Sequence, residues 1–224
     1  MHPSGHALLG TDFLGRDVFS RLCCGGRTVV ILAGGATILA YAAGLTIGLL
    51  AGFVGSVLDP LLMRAMDILL SVPGLVFLLL VITGLGSGRF PLVLGVAVLH
   101  VPGIARIVRS ATSAQAVRGY VECAVARGES TAAILRREIL PNISGTIAAD
   151  AGLRLAWSVT LIASVNFLGL GLQPPTADWG LMIAENRNNL LLNPWAVLMP
   201  ALLLAALTIS LNMVGDAIAT RTAG

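Results

Sequence analysis

Charged positions along this chain are separated by long gaps. Residues 28–58, 68–88, 155–177 and 188–215 contain no Asp, Glu, Lys or Arg, and a shorter gap covers 90–105. A helix of about 20 apolar residues crosses the hydrocarbon of a bilayer, so each of the four long gaps suffices. The fifth suffices once it runs on through Arg106, whose long stem reaches back to the interface. The gaps lack the polar stripe of a helix lying on a soluble core. The pattern predicts an all-α, polytopic membrane protein with about five transmembrane helices, near 28–54, 63–86, 90–110, 145–172 and 196–218.

One polar stretch interrupts the apolar runs. Residues 118–142, RGYVECAVARGESTAAILRREILPN, carry four arginines and three glutamates. Tyr120 to Arg127 reads as a short helix with Val121, Ala124 and Val125 on one face and Glu122 beside them. Gly128 follows, where a helix turns through a left-handed residue. Ser130 is placed to cap a second helix that runs to Leu140, and Pro141 disfavours helix for the residue before it. A solvated loop is the plain reading of a charge run. Two helices around one glycine, with a small-residue face, point instead to an elbow that docks on another protein.

Composition narrows the chemistry. Of 224 residues, 56% are hydrophobic and 11% charged, against about 25% charged in soluble domains. All 14 basic residues are arginine. Without lysine there is no Walker A phosphate loop and no Schiff base, so ATP hydrolysis by this chain is not expected. Neither a His-Glu-x-x-His nor a Gly-x-Ser-x-Gly motif is present, which speaks against a membrane enzyme. Three cysteines are too few for a disulfide framework; the adjacent Cys23 and Cys24 read as free thiols or apolar filler. No metal site is indicated by His2, His6 and His100, and no nucleic-acid partner is expected. Residues 1–27 lack the apolar core of a signal peptide.

Arginine bias gives an orientation. With five spans, Arg64, Arg106, Arg109, Arg118, Arg127, Arg136, Arg137 and Arg221 share one side, and Arg16, Arg21, Arg27, Arg89 and Arg187 the other. The richer side is expected to be cytoplasmic, which places the elbow and C-terminus inside and the N-terminus outside. The stretch GRDVFSRLCCGGR within 1–27 reads as an amphipathic surface helix. Residues 28–224 form the transmembrane domain, with the elbow in a loop at about 111–144 and an outer loop at about 173–195. Ala40, Gly44, Gly48 and Gly52 line one face of the first span and allow close helix approach. Asp150 and Arg154, at i and i+4, form a candidate intramembrane charge pair. Asp216 falls at headgroup level, and His100 reads as a packed histidine.

These residues carry a family resemblance. Glu122-Cys123-Ala124, Gly128 and Leu140-Pro141 resemble the cytoplasmic signature of binding-protein-dependent ABC importer permeases, Glu-Ala-Ala, three residues, Gly, then Leu-Pro; Cys123 stands where alanine is usual. LLGTDFLGRDVFSRL, ARIVRS, FLGLGLQPPTADWGLMI and LNMVGDAI are similar, in order, to segments of the dipeptide/oligopeptide/nickel permeases of the second type. That family has six helices, and here nine residues precede Gly10, so its first helix is expected to be missing.

The resemblance implies a type I importer permease fold in a prokaryotic inner or plasma membrane. It implies a second permease, two ATP-binding subunits and an extracytoplasmic solute-binding protein as partners, with lipid around them. ATP and Mg would be bound by the ATPase subunits and no cofactor by this chain. Tyr120, Val121, Glu122, Cys123, Ala124, Gly128, Leu140 and Pro141 would couple the chain to an ATPase. Di- or oligopeptides are the implied cargo, with nickel or another chelated metal as the alternative. A stand-alone secondary transporter is the competitor from another class, but no inverted repeat or midplane charge array is evident.

Overall fold

The computed structural model describes residues 8–223, so His2 and His6 lie outside the described residues, as does the side chain of Arg221. Its elements are helical: α1 Val18–Val54, α2 Leu58–Leu70, α3 Gly74–Leu85, α4 Arg89–Ala116, α5 Gly119–Ala126, α6 Thr131–Ile134, a π turn Leu135–Ile139, α7 Leu140–Phe167, α8 Trp179–Asn186 and α9 Trp195–Ala223. Among the described residues the only pairing of extended chain is an isolated antiparallel bridge between Thr11 and Asp17.

Among the described residues four helices are long and apolar enough to cross a membrane: Val18–Val54, Arg89–Ala116, Thr131–Phe167 and Trp195–Thr220. The predicted span at 63–86 is instead broken. Leu58–Leu70 and Gly74–Leu85 meet at 85° across residues 71–73. Pro73 accounts for the break, since it lacks an N–H and pushes Val72 away from helical geometry. Counting that pair as one span restores five. Proline does not stop the other helices: Pro102 lies within α4 and Pro200 within α9.

Two further expectations change. Residues 18–27 form no separate amphipathic helix; they are the first turns of the 37-residue α1. The elbow's second helix does not end at Pro141 either. The π turn, in which the Leu140 N–H reaches Leu135 O, widens the helix just before the proline and lets it continue as α7. A π turn absorbs an extra residue inside a helix, and here it falls where Pro141 removes a donor and crowds the carbonyl four residues back.

The chain divides into two compact units. One comprises the chain through Ala36, Leu75–Val96 and Leu155–Asn212. Its core near the chain start joins Val18 and Leu22 of α1 to Met182 and Ala196. The other comprises Thr37–Gly74, Ala97–Arg154 and the chain from Met213. Its core packs Ile104 and Val108 of α4 against Val121, Ala124, Ile134 and Ile139.

Within this second unit the glycine face of α1 contacts α4. A Cβ on Gly44 would fall 2.6 Å from an Ile104 carbon, one on Gly48 2.7 Å from Ala105 O, and one on Gly52 2.7 Å from Arg109 O. The stripe therefore serves packing within the chain. By contrast, only 6% of the most apolar window of α9 is buried; Leu198, Leu202, Ile209 and Met213 are exposed along it.

Candidate functional site

The elbow is built from the inside outward. α5 starts at Gly119 after an extended Arg118 and ends in a Schellman turn. The Gly128 N–H donates to Val125 O at 2.9 Å, and the Glu129 N–H donates to Ala124 O at 3.2 Å. That closure needs a left-handed residue, and Gly128 has φ +75 with open space around the missing Cβ. Ser130 then caps α6, its hydroxyl accepting from the Ala133 N–H at 3.4 Å. Arg127 braces the turn through Glu129 at 2.6 Å, with Glu138 at 4.0 Å.

Anchoring is apolar. Val121 and Ala124 are buried, as are Ile134, Leu135 and Ile139. Leu45, Leu49 and Phe53 of α1 close over this cluster, with Leu140 at its edge. Glu122, Cys123, Gly128 and Pro141 face outward. So does Val125, at 55% exposure, which corrects its expected place beside Val121 and Ala124. Tyr120 is partly exposed and donates through its hydroxyl to Gln115 Oε1 at 2.7 Å. The arrangement is a rigid knuckle: one face is fused to α1 and α4, and the other presents Glu122, Cys123 and Val125.

Asp150 and Arg154 do pair, with Arg154 Nε 3.2 Å from Asp150 Oδ2. The sequence reading missed the rest of the cluster. The Tyr41 hydroxyl of α1 donates to Asp150 Oδ2 at 2.6 Å. Gly103 of α4 lies under the guanidinium, where a Cβ would meet a terminal nitrogen at 2.5 Å. One turn earlier His100 is buried, and its Nε2 has no hydrogen-bond partner among the described residues. A signal for Tyr41 existed: it is the only tyrosine in the uncharged run 28–58, and a buried phenol usually finds a partner. Two further pairs, Arg106 with Asp67 and Arg109 with Asp59, tie α4 to α2.

At the chain start, Asp12 accepts from the Leu14 and Arg16 N–H groups at 2.9 and 2.8 Å. The Arg16 and Arg21 guanidiniums reach it at 2.6 and 2.8 Å and bridge on to Glu185 at 2.8 and 2.6 Å. Burial alone would raise the Asp12 carboxyl; the hydrogen bonds and charge of Arg16, with Arg21, outweigh it and hold the carboxyl below its usual value. Asp178 caps α8 at the Gly180 and Leu181 N–H groups. There burial wins over those bonds and raises the carboxyl. Trp179 donates to Leu22 O at 2.8 Å and lies on Gly25 and Gly26, where any Cβ would strike its ring. The Gly-Thr-Asp and Trp-Gly segments thus form one clamp.

Long apolar helices, a broken span and an anchored knuckle with a bare outer face define a polytopic helical membrane protein. Residues 44–224 match the family described as "Binding-protein-dependent transport system inner membrane component". The chain belongs to that family and is a permease subunit of a binding-protein-dependent ABC importer in the inner membrane.

Its relatives include the glutathione transport system permease protein GsiD of Pectobacterium atrosepticum, 36% identical over 96% of this chain and 71% of that protein. The di/tripeptide transport system permease protein DppC of Pseudomonas aeruginosa is 34% identical over 93% of this chain and 69% of its own length. A solved MetNI methionine ABC transporter, described as inward facing, superposes with a TM-score of 0.72 at 20% identity, covering 91% of this chain and 96% of that one. An amino acid ABC transporter with histidines gives 0.68 at 19% identity, over 91% and 94%. These two likenesses concern the fold.

Proposed function

We propose that this chain forms, with a second permease, an import path for di- or oligopeptides, and that its elbow seats in a separate ATPase subunit. The observation that carries the reading is the elbow's two-sidedness. Val121, Ala124, Ile134 and Ile139 lock it to α1 and α4, while Glu122, Cys123 and Val125 are left bare. A force applied to the bare face is passed to the transmembrane helices as rigid-body motion, because packed elements shift between discrete arrangements. The peptide cargo is supported by the glutathione, di/tripeptide and dipeptide permeases among the relatives.

On this reading the chain itself performs no bond chemistry. Two ATPase subunits bind ATP and Mg, and an extracytoplasmic binding protein delivers the peptide. The N-terminus is outside, and the elbow and C-terminus are cytoplasmic. The bare apolar length of α9 suits lipid or the second permease.

Gly128→Asp tests the proposal. The left-handed turn would be strained by about 1–2 kcal/mol, and a carboxylate would be added to the docking face, where burying it unpaired costs several kcal/mol. Residue 128 lies between spans, so insertion is expected to stay normal. Membrane abundance should be unchanged, while co-purification of ATPase subunits and peptide uptake should be lost. Retention of both would show that the bare face of the elbow does not seat in an ATPase.

A further inference from the structure

One end of α1 and the start of α4 enclose a cavity of about 380 Å³ lined by Cys24, Arg27, Thr28, Ile31, Leu32 and Arg89. Both arginines are exposed. Among the described residues neither side chain forms a hydrogen bond or an ion pair. Arg89 is also the first residue of α4, where the positive end of the helix dipole disfavours a cation. Two guanidiniums and a helix N-terminus therefore share one cavity, and its described lining residues include no carboxylate.

Depth is set by the sequence. Arg27 is the last charge before the uncharged run 28–58, and Arg89 the last before 90–105. Each marks the water end of a span, and both line the same cavity. Below Arg27 on the same helical face lie Ile31 and Gly34. Ile31 is 58% exposed. A Cβ on Gly34 would meet nothing within 4 Å, and one on Gly35 would reach Val93 of α4 only at 3.9 Å. An apolar track thus runs from the arginine pair into the hydrocarbon.

We propose that this cavity binds an anionic phospholipid, with the phosphodiester between Arg27 and Arg89 and an acyl chain along Ile31 and Gly34. Guanidinium forks match phosphate oxygens, and basic pockets between membrane helices hold anionic headgroups. A free phosphate compound would use the arginines but not the track. The paired demand for charge at the boundary and apolar contact beneath it selects the lipid.

The test uses the full chain, co-expressed and purified with its transporter subunits, in nanodiscs of phosphatidylcholine with a minor fraction of phosphatidylglycerol of matched acyl chains. Native mass spectrometry reads the headgroup ratio of the lipids that stay bound. Enrichment of phosphatidylglycerol is expected. Arg27→Gln or Arg89→Gln should each lower it about fivefold, and the double variant about 25-fold, since one basic residue near a membrane surface contributes about 1 kcal/mol. Arg27→Lys with Arg89→Lys should keep most of it, which separates charge from folding. Ile31→Trp should lower it with both charges present.

Three results would overturn the proposal. The first is no enrichment, or enrichment unchanged in the glutamine pair. The second is displacement of the lipid by glycerol phosphate or inorganic phosphate at equal concentration, which would assign a free-phosphate site. The third is efficient cross-linking of a cysteine placed at Ile31 to a partner subunit, which would assign the cavity to protein.

Discussion

Asp150 holds three groups at once: Arg154 on its own helix, the Tyr41 hydroxyl of α1 and, through Arg154, the bare backbone of Gly103 on α4. Its removal differs in kind from removal of Tyr41. Asp150→Asn leaves the part-buried Arg154 uncompensated; breaking a fully buried pair costs about 3–5 kcal/mol, and partial solvation lowers that figure here. Tyr41→Phe deletes one hydrogen bond to a charged acceptor, about 1.5–3 kcal/mol, and spares the pair. Asp150→Asn should therefore lower the yield and melting temperature of the purified transporter more than Tyr41→Phe. Equal losses would mean that water already screens the pair. The pair was legible as an i, i+4 spacing. Its partners on α1 and α4 are 109 and about 50 residues away in sequence, and no local pattern encodes such a meeting. Asp12 offers a pH test. Its folded carboxyl titrates below the ordinary 3.8, so its contribution is complete above that value and fades as pH falls through the lower folded one. The stability advantage of wild type over Asp12→Asn, measured by thermal unfolding, should be present at neutral pH and shrink below about pH 4. An advantage that persists there would place the clamp's stability elsewhere.

At the scale of elements, the apolar runs located the helices and misjudged where they stop. Val18–Val54 continues through Arg21 and Arg27, which the hydropathy pattern set apart; Arg21 is neutralised there by Asp12 and Glu185. Pro73 breaks its helix, whereas Pro141, Pro102 and Pro200 do not. A proline's effect depends on whether a π turn or a neighbouring helix accommodates the missing donor. Glycines divide in the same way. Gly48 is pressed to α4, and a Cβ there would fall 2.6 Å from Val108 Cβ, while Gly84 of α3 faces open space. Gly48→Ala should destabilise by about 1–3 kcal/mol through overpacking. Gly84→Ala should be neutral or stabilise by about 0.5–1 kcal/mol by restricting the unfolded chain. Comparing their melting temperatures in detergent checks the contact, and equal shifts would remove it.

Across the whole molecule, arginine bias is the basis for orientation. In a background with Cys23, Cys24 and Cys123 replaced, a cysteine at Ser130 should react with an impermeant maleimide only from the cytoplasm, and one at Thr176 only from outside. Labelling of both from one side would refute the proposed arrangement of spans. The family was readable from four motifs in order, and the structure shows what holds two of those segments and the elbow in place. Trp179 needs Gly25 and Gly26 to lie flat, Asp12 needs Arg16 and Arg21, and the elbow needs Gly128.

By itself the sequence determined that the chain is helical, lies in a membrane, has no nucleotide site of the Walker type and carries a capped elbow. These follow from local quantities: charge spacing, hydropathy over about 20 residues, and backbone preferences of glycine, proline and serine. Tertiary structure alone decided that Val125 faces outward, that α2 and α3 meet at 85°, that Tyr41 and Gly103 flank the Asp150–Arg154 pair, and that Arg27 and Arg89 share one cavity. Each of these is a meeting of surfaces distant in sequence or a choice between faces of one helix. In lipid that choice rests on packing and pairing between helices, because apolar residues are equally at home on either side.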